Sequence, residues 1–294
     1  MVTYNPKDWI KLIFHFHKSD TLRILALNMF LLGGITAMVC FLEKRYITVT
    51  IPSLTFFHQI SGFIISLVLV FRINTAYDRW WEGRKLWGSL LNNSRNLAIK
   101  FHAMVPIQEK EMRKELYAML TTFAYVLKEH LRSDYKKEEL VFSKVLTEQE
   151  LSAAKHRPTF IVSRLSRYVL EFCQKNKDTE NDFLILERNM SELIDVCGGC
   201  ERIKNTPIPY SYSIFIKKIV FIYIITMPIT FGLSVGYWAV PMVMVIFYAF
   251  ASLELLSEEI EDPFGTDAND LPTDEIALRI KENVAEILIE NGNT

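Results

Sequence analysis

The sequence predicts an all-α protein: four membrane-spanning helices and a large helical domain in the cytosol. Three observations point there. Half of the 294 residues are hydrophobic while 23% are Asp, Glu, Lys or Arg, and mean hydropathy is +0.15, so apolar and charged residues must be segregated into blocks. The apolar blocks are long enough to cross a bilayer, which takes about 20 such residues. Outside them, hydrophobic residues recur at helical spacing and strand signals are weak.

Taken in order, the chain opens on "MVTYNPKDWIKLIFHFHKSD", which is amphipathic and is followed by no small-residue cleavage site, so it reads as an uncleaved segment. Ile24 to Leu42 carries no charge and forms the first span. A charged turn, Glu43-Lys44-Arg45, separates it from a second span, about Leu54 to Phe71. The uncharged block from Ile219 to Leu253 is too long for one crossing at about 1.5 Å per residue, and Ser234-Val235-Gly236 offers a turn within it. It reads as a hairpin of two spans. None of these blocks keeps the polar face of a soluble core helix.

Basic residues set the expected orientation. Lys7, Lys11, Lys18 and Arg23 precede the first span, Arg72, Arg79, Arg84 and Lys85 follow the second, and Lys217 and Lys218 precede the third. Those flanks are expected in the cytoplasm, giving a multi-pass cell-membrane protein with both termini inside. The resulting plan is residues 1–72 for the amphipathic segment and first helix pair, 73–216 for the cytosolic helical region, 217–256 for the second pair, and 257–294 for an acidic loop and a last cytosolic helix.

Within the cytosolic region, Leu116, Leu120, Phe123 and Leu127 recur at helical spacing, as do Ile161, Leu165, Tyr168 and Phe172. Thr147-Glu148-Gln149-Glu150 has the form of a capping box. Near the end, Thr273 is the expected cap of a helix whose stripe is Ile276, Ile280, Val284 and Ile287. The segment after Phe71 mixes charge with tryptophan. Arginines that snorkel and indoles at headgroup level suit a helix leaving a bilayer, so the second span is expected to run on unbroken. Tyr77, Trp80, Arg84, Trp87 and Leu91 would share its packed face, and Arg79–Glu82 and Glu82–Lys85 are spaced for intrahelical ion pairs.

Several functions find no support. A net charge of −1 gives no basis for nucleic-acid binding. Four scattered cysteines do not make a secreted disulfide framework. The "CGGC" at Cys197–Cys200 has the spacing of half a zinc site but lacks a second half, so its glycines are read as allowing close helix packing. Pro207 and Pro209 stiffen the turn before the third span. No phosphate-binding loop, dinucleotide fingerprint, HExxH or nucleophile elbow is present, and the chain is not expected to be an enzyme.

Three stretches together resemble the bestrophin family in order and spacing: "FRINTAYDRWWEGRKLWGSLLNNSRNLA" (Phe71–Ala98), "GGCERIKNTPIPYSYS" (Gly198–Ser213) and "EEIEDPFGTDANDLP" (Glu258–Pro272). The resemblance covers nearly the whole chain and is greatest to the short prokaryotic members. It implies a homopentameric ion channel embedded in lipid, with the second span of each subunit lining one axial pore for monovalent ions. Animal and plant members conduct chloride and other anions, whereas cation conduction is known among bacterial members. The resemblance places the apolar pore neck at Phe63, Leu67 and Phe71. Independently of the family, residues at i, i+4 and i+8 stay near one helix face, and rings of Phe, Leu and Phe would resist ions until widened and wetted.

The resemblance also implies two further sites. The calcium loop of animal members maps to Asp267 and Asp270 as acidic ligands, with Glu259 and Asp262 at the positions that donate backbone carbonyls. The run of consecutive acids is broken here by Ala268 and Asn269, and a solvated acidic turn is the simpler reading; no cofactor is required, and calcium is the one candidate. The exit constriction maps to Asn181, which sits beside Glu180 and Asp182. Five copies of one such acid would concentrate cations. The expected function is therefore a channel for chloride and other anions by family habit, with a sodium or potassium channel of the same fold as first alternative and a non-conducting membrane scaffold or sensor as second.

Overall fold

The computed structural model describes residues 21–46, 52–175 and 182–290, and every regular element among them is helical. In chain order these are α1 (Thr21–Tyr46), α2 (Pro52–Met104), α3 (Lys110–Arg132), α4 (Glu148–Ala153), α5 (Arg157–Lys175), α6 (Asp182–Asn205), α7 (Tyr210–Val235), α8 (Ala239–Glu261) and α9 (Thr273–Ala285). The predicted continuation of the second span is a single helix of 53 residues. The described residues fall into two compact units, the first from residues 21–46, 52–80, 207–263 and 267–270, the second from 81–175, 182–206, 264–266 and 271–290.

The first unit gathers the apolar helices. Thr21–Tyr46, Ser53–Met104 and Tyr210–Glu261 are long and apolar enough to cross a membrane. The third stretch is interrupted where expected: α7 stops at Val235, Gly236 takes φ 60, and a short 3₁₀ turn over Gly236–Trp238 starts α8. A positive φ suits glycine because it has no Cβ. The two helices then fold back on each other, with the rings of Tyr223 and Phe250 5.6 Å apart. Ile65 and Leu69 of α2, Ile216, Val220 and Met227 of α7 and Val243 of α8 complete this core. At Gly62 the α2 backbone meets α7 so closely that a Cβ would lie 2.5 Å from the Tyr223 hydroxyl.

The second unit is built around α3. Leu116, Leu120, Phe123 and Leu127 are all buried, as their spacing predicts. α5 turns slightly from its expected face: Ile161 and Leu165 are buried, but Val169 and Cys173 follow them inward in place of Tyr168 and Phe172. Half of the capping box forms. The Thr147 hydroxyl accepts from the Glu150 amide at 3.4 Å and donates to its carboxylate at 2.9 Å, and that carboxylate also pairs with Arg164. Thr273 is the first residue of α9 rather than its cap, and its hydroxyl accepts from Arg132 at 3.0 Å. Asp274 ties α9 to α3 through Lys128 (3.0 Å) and Arg132 (2.7 Å). The last stripe buries Ile276, Ile280 and Val284, then Leu288 in place of Ile287, because the helix loosens into a π turn over Glu286–Glu290.

Candidate functional site

The candidate pore surface is one face of α2. Its opposite face is packed: His58, Ile65, Leu69, Arg72 and Ala76 are all buried within the first unit. The expected packed face of Tyr77, Trp80, Arg84, Trp87 and Leu91 is off by part of a turn, since Trp87 is fully buried but Tyr77 is 52% exposed. Glu82 pairs with Arg202, and Arg79 donates to the Glu261 carbonyl at 3.1 Å. Phe63, Leu67 and Phe71 point away from the core at 72%, 48% and 57% exposure. Asn74 and Asp78, also exposed, continue that face for the next two turns. The sequence carried Asp78 in plain view, but its place on the candidate neck face follows from stepping three and then four residues on from Phe71, a step that needs the neck first.

Arg72 departs from its expected snorkelling placement at the lipid headgroups. It is 1% exposed. Its Nε lies 2.9 Å from Glu254 and its Nη2 3.6 Å from Glu261, while Nη1 donates to the Ser213 hydroxyl at 3.0 Å. A cation buried among apolar helices is stable only when paired and hydrogen-bonded. Glu254, one charge at the edge of an apolar block, was the available signal for this partnership.

Glu261 explains why the three recognised stretches occur together. Its carboxylate faces Arg72 at the end of the second span and accepts from the Ile208 amide, between the two prolines, at 2.8 Å; its carbonyl accepts from Arg79. The next residue along α2 after Arg79 is Trp80, whose indole donates to the Asn269 carbonyl at 3.0 Å. The first, second and third stretches thus close on one acidic residue and the loop beyond it.

That loop holds the candidate calcium residues. Asp270 is 2% exposed, and its carboxylate accepts from the Asp267 amide at 2.6 Å. The Asp270 amide in turn donates to the Asp267 carbonyl at 3.1 Å. Asn269 donates to Glu259 at 2.7 Å. Asp262 and Asp267 are exposed and Glu259 is half-buried. Among the described residues, no three of these four acids bring ligand oxygens together; the one group of His, Cys, Asp and Glu side chains that does so is His130, His156 and Glu201. An ion in the loop would draw on backbone carbonyls and solvent for most of the six to eight oxygens calcium takes. The candidate exit residues Glu180 and Asn181 lie outside the described residues, and Asp182 is described only as the first residue of α6.

The "CGGC" stretch lies inside α6, where Cys197 and Cys200 are buried free thiols. Burial, then the nearby Glu201 charge, pushes the Cys197 thiol up to about 12. Burial raises Cys200 further still, helped by Cys197 and Glu201. Such thiols are inert as nucleophiles. Gly199 is the packing glycine, with a Cβ there falling 2.9 Å from the Leu86 methyls; nothing lies within 4 Å of Gly198.

A family model described as bacterial/fungal bestrophin protein matches residues 1–286. A voltage-dependent anion channel-forming protein of Nostoc sp. is 33% identical over 233 residues, covering 78% of this chain and 76% of the relative. One of Mesorhizobium japonicum is 36% identical over 231 residues, 78% of this chain and 74% of the relative. The protein of that description from Escherichia coli K12 is 28% identical over 291 residues, 98% of this chain and 94% of its own. Among solved structures, a bestrophin homologue from Klebsiella pneumoniae superposes with a TM-score of 0.81 at 25% identity, covering 92% of this chain and all of the other (100%).

Proposed function

We propose a function from one premise: the chain belongs to the bacterial and fungal bestrophin family and is a membrane protein of that all-helical fold. On this reading it is a homopentameric ion channel of the cell membrane, with both termini in the cytoplasm. Five copies of α2 line a single axial pore. Phe63, Leu67 and Phe71 form its apolar neck, which passes monovalent ions when it wets. Chloride and other anions come first, because the relatives are named as anion channel-forming proteins. No residue is assigned a catalytic role.

The observation that carries the reading is the face of α2. Three large apolar side chains spaced four residues apart stand exposed while the opposite side of the same helix is fully packed. A second observation favours the cation-channel alternative. Apolar rings discriminate by dehydration cost and not by sign, so charges elsewhere along the path decide. Asp78, exposed two turns beyond Phe71 on the same face, would give a ring of five carboxylates that attracts cations.

Purified protein in planar bilayers under a tenfold KCl gradient tests these readings together. Unitary steps reversing near the chloride equilibrium potential support the anion channel. Reversal near the potassium potential supports the alternative. A flat trace from correctly assembled protein rejects both in favour of a scaffold or sensor.

A further inference from the structure

We infer that His130, His156 and Glu201 form a binding site for a zinc-type first-row transition-metal ion, held by two imidazole nitrogens and one carboxylate oxygen. The inference is independent of the pore reading, and every residue it uses lies in the second unit. The three come from separate elements: the last turn of α3, the residue preceding α5, and α6. No local sequence spacing announces them. Folding places the Nε2 atoms of His130 and His156 at 2.6 and 2.7 Å from the same Glu201 oxygen, Oε1, and all three ligand atoms lie within 4.8 Å of one another. The two rings are tilted by 59° with centroids 4.9 Å apart, so their ring nitrogens can converge on one point without stacking.

Zinc bonds to nitrogen and oxygen at about 2.0–2.2 Å, so neighbouring ligand atoms of a tetrahedron sit about 3.3 Å apart. Present separations to Glu201 are only slightly shorter, and small rotations of half-exposed side chains open them. Two histidines and a glutamate are a known zinc donor set that leaves the fourth position for solvent. Space for it exists, because His130 and Glu201 line a cavity of about 600 Å³.

The electrostatics favour a dication there. Glu201 Oε1 accepts from both ring nitrogens, so a carboxylate oxygen already sits between the two imidazoles. Of the cations that line the cavity with Lys155, Lys204 donates to the Ser133 hydroxyl at 3.0 Å and to backbone carbonyls, and Arg157 stacks 4.0 Å above the Tyr135 ring. Glu129 lines the same cavity at 4% exposure, with both carboxylate oxygens buried. A buried acid of that kind gains from a nearby positive ion.

Binding has a defined tautomer cost. The Thr159 amide donates to Nδ1 of His156 at 3.2 Å, which leaves that ring's proton on Nε2, donated to Glu201. An incoming ion takes the Nε2 lone pair, so the proton moves to Nδ1 and the Thr159 bond is lost.

Full-length protein, purified in detergent and stripped with EDTA, is titrated with cobalt(II) and with zinc. The parent should take up one ion per chain, with visible d–d bands of tetrahedral intensity for cobalt and a raised melting temperature with zinc. His156→Asn keeps a good helix N-cap residue while removing a ligand, and Glu201→Gln keeps the shape while removing the charge. Each should weaken binding about tenfold or more, the scale seen even for outer-shell losses. Melting in EDTA checks folding, and if Glu201→Gln does not fold then His156→Asn decides. Absence of saturable one-per-chain binding, or binding and cobalt spectra unchanged in the folded variants, overturns the inference.

Discussion

Replacing Arg72 by alanine should destabilise the protein sharply yet leave the ion selectivity of surviving channels unchanged. The guanidinium side chain is 2% exposed, and its partners Glu254 and Glu261 are 13% and 15% exposed. Truncation leaves the Glu254 carboxylate among apolar helices with its counter-ion gone, and removing one partner of a buried pair costs about 3–5 kcal/mol. At about 2 °C per kcal/mol for a chain of this size, the melting temperature should fall by roughly 6–10 °C. The double variant Arg72→Met with Glu254→Gln removes both charges and should recover most of that loss, since neutralised pairs of similar volume are often tolerated. Glu261 keeps its bond from the Ile208 amide in both cases. Differential scanning fluorimetry on detergent-purified protein reads the stability, and reversal potentials in a KCl gradient read the selectivity. A single variant melting within about 1 °C of the parent refutes the buried-pair argument. A displaced reversal potential would mean that Arg72 faces permeant ions.

Four other outcomes are expected. Changing Phe63, Leu67 and Phe71 together to alanine should raise unitary conductance; a triple variant that assembles and conducts like the parent removes these residues from the neck. Asp78→Asn should shift the reversal potential toward that of chloride, and an unmoved potential takes Asp78 out of the ion path. Burial pushes the Glu129 carboxyl up to about 7 from 4.5. Between those pH values the folded chain holds a proton the unfolded chain has lost, so stability should fall by about 3 kcal/mol as pH rises from 4.5 to 7 and then level off; Glu129→Gln should abolish that slope in melting curves. Crystals soaked in calcium should show density beside Asp267 and Asp270 if the loop is a calcium site, and currents indifferent to calcium with no ion bound would end that assignment.

The sequence by itself determined the elements. Long uncharged runs mark α1, α7 and α8 because a bilayer-crossing helix can afford no exposed charge, and the α7–α8 turn is visible as a glycine in an overlong block. The four-residue rhythm of Leu116, Leu120, Phe123 and Leu127 identified the buried side of α3, where packing surrounds the helix and small rotations do not matter. On α5 and at the end of α9 the same rhythm named the helix but missed its rotation, placing Tyr168, Phe172 and Ile287 where Val169, Cys173 and Leu288 are buried. Periodicity fixes spacing along one helix, while a neighbour's shape sets which residues meet it. Only the tertiary structure decided the partners of charged side chains. Arg72 meets Glu254 and Glu261, and His130 and His156 meet Glu201, across separations that no local pattern spans. A helix stripe is repeated every turn, but a polar side chain needs one partner in one place, and that place exists only after the chain has folded.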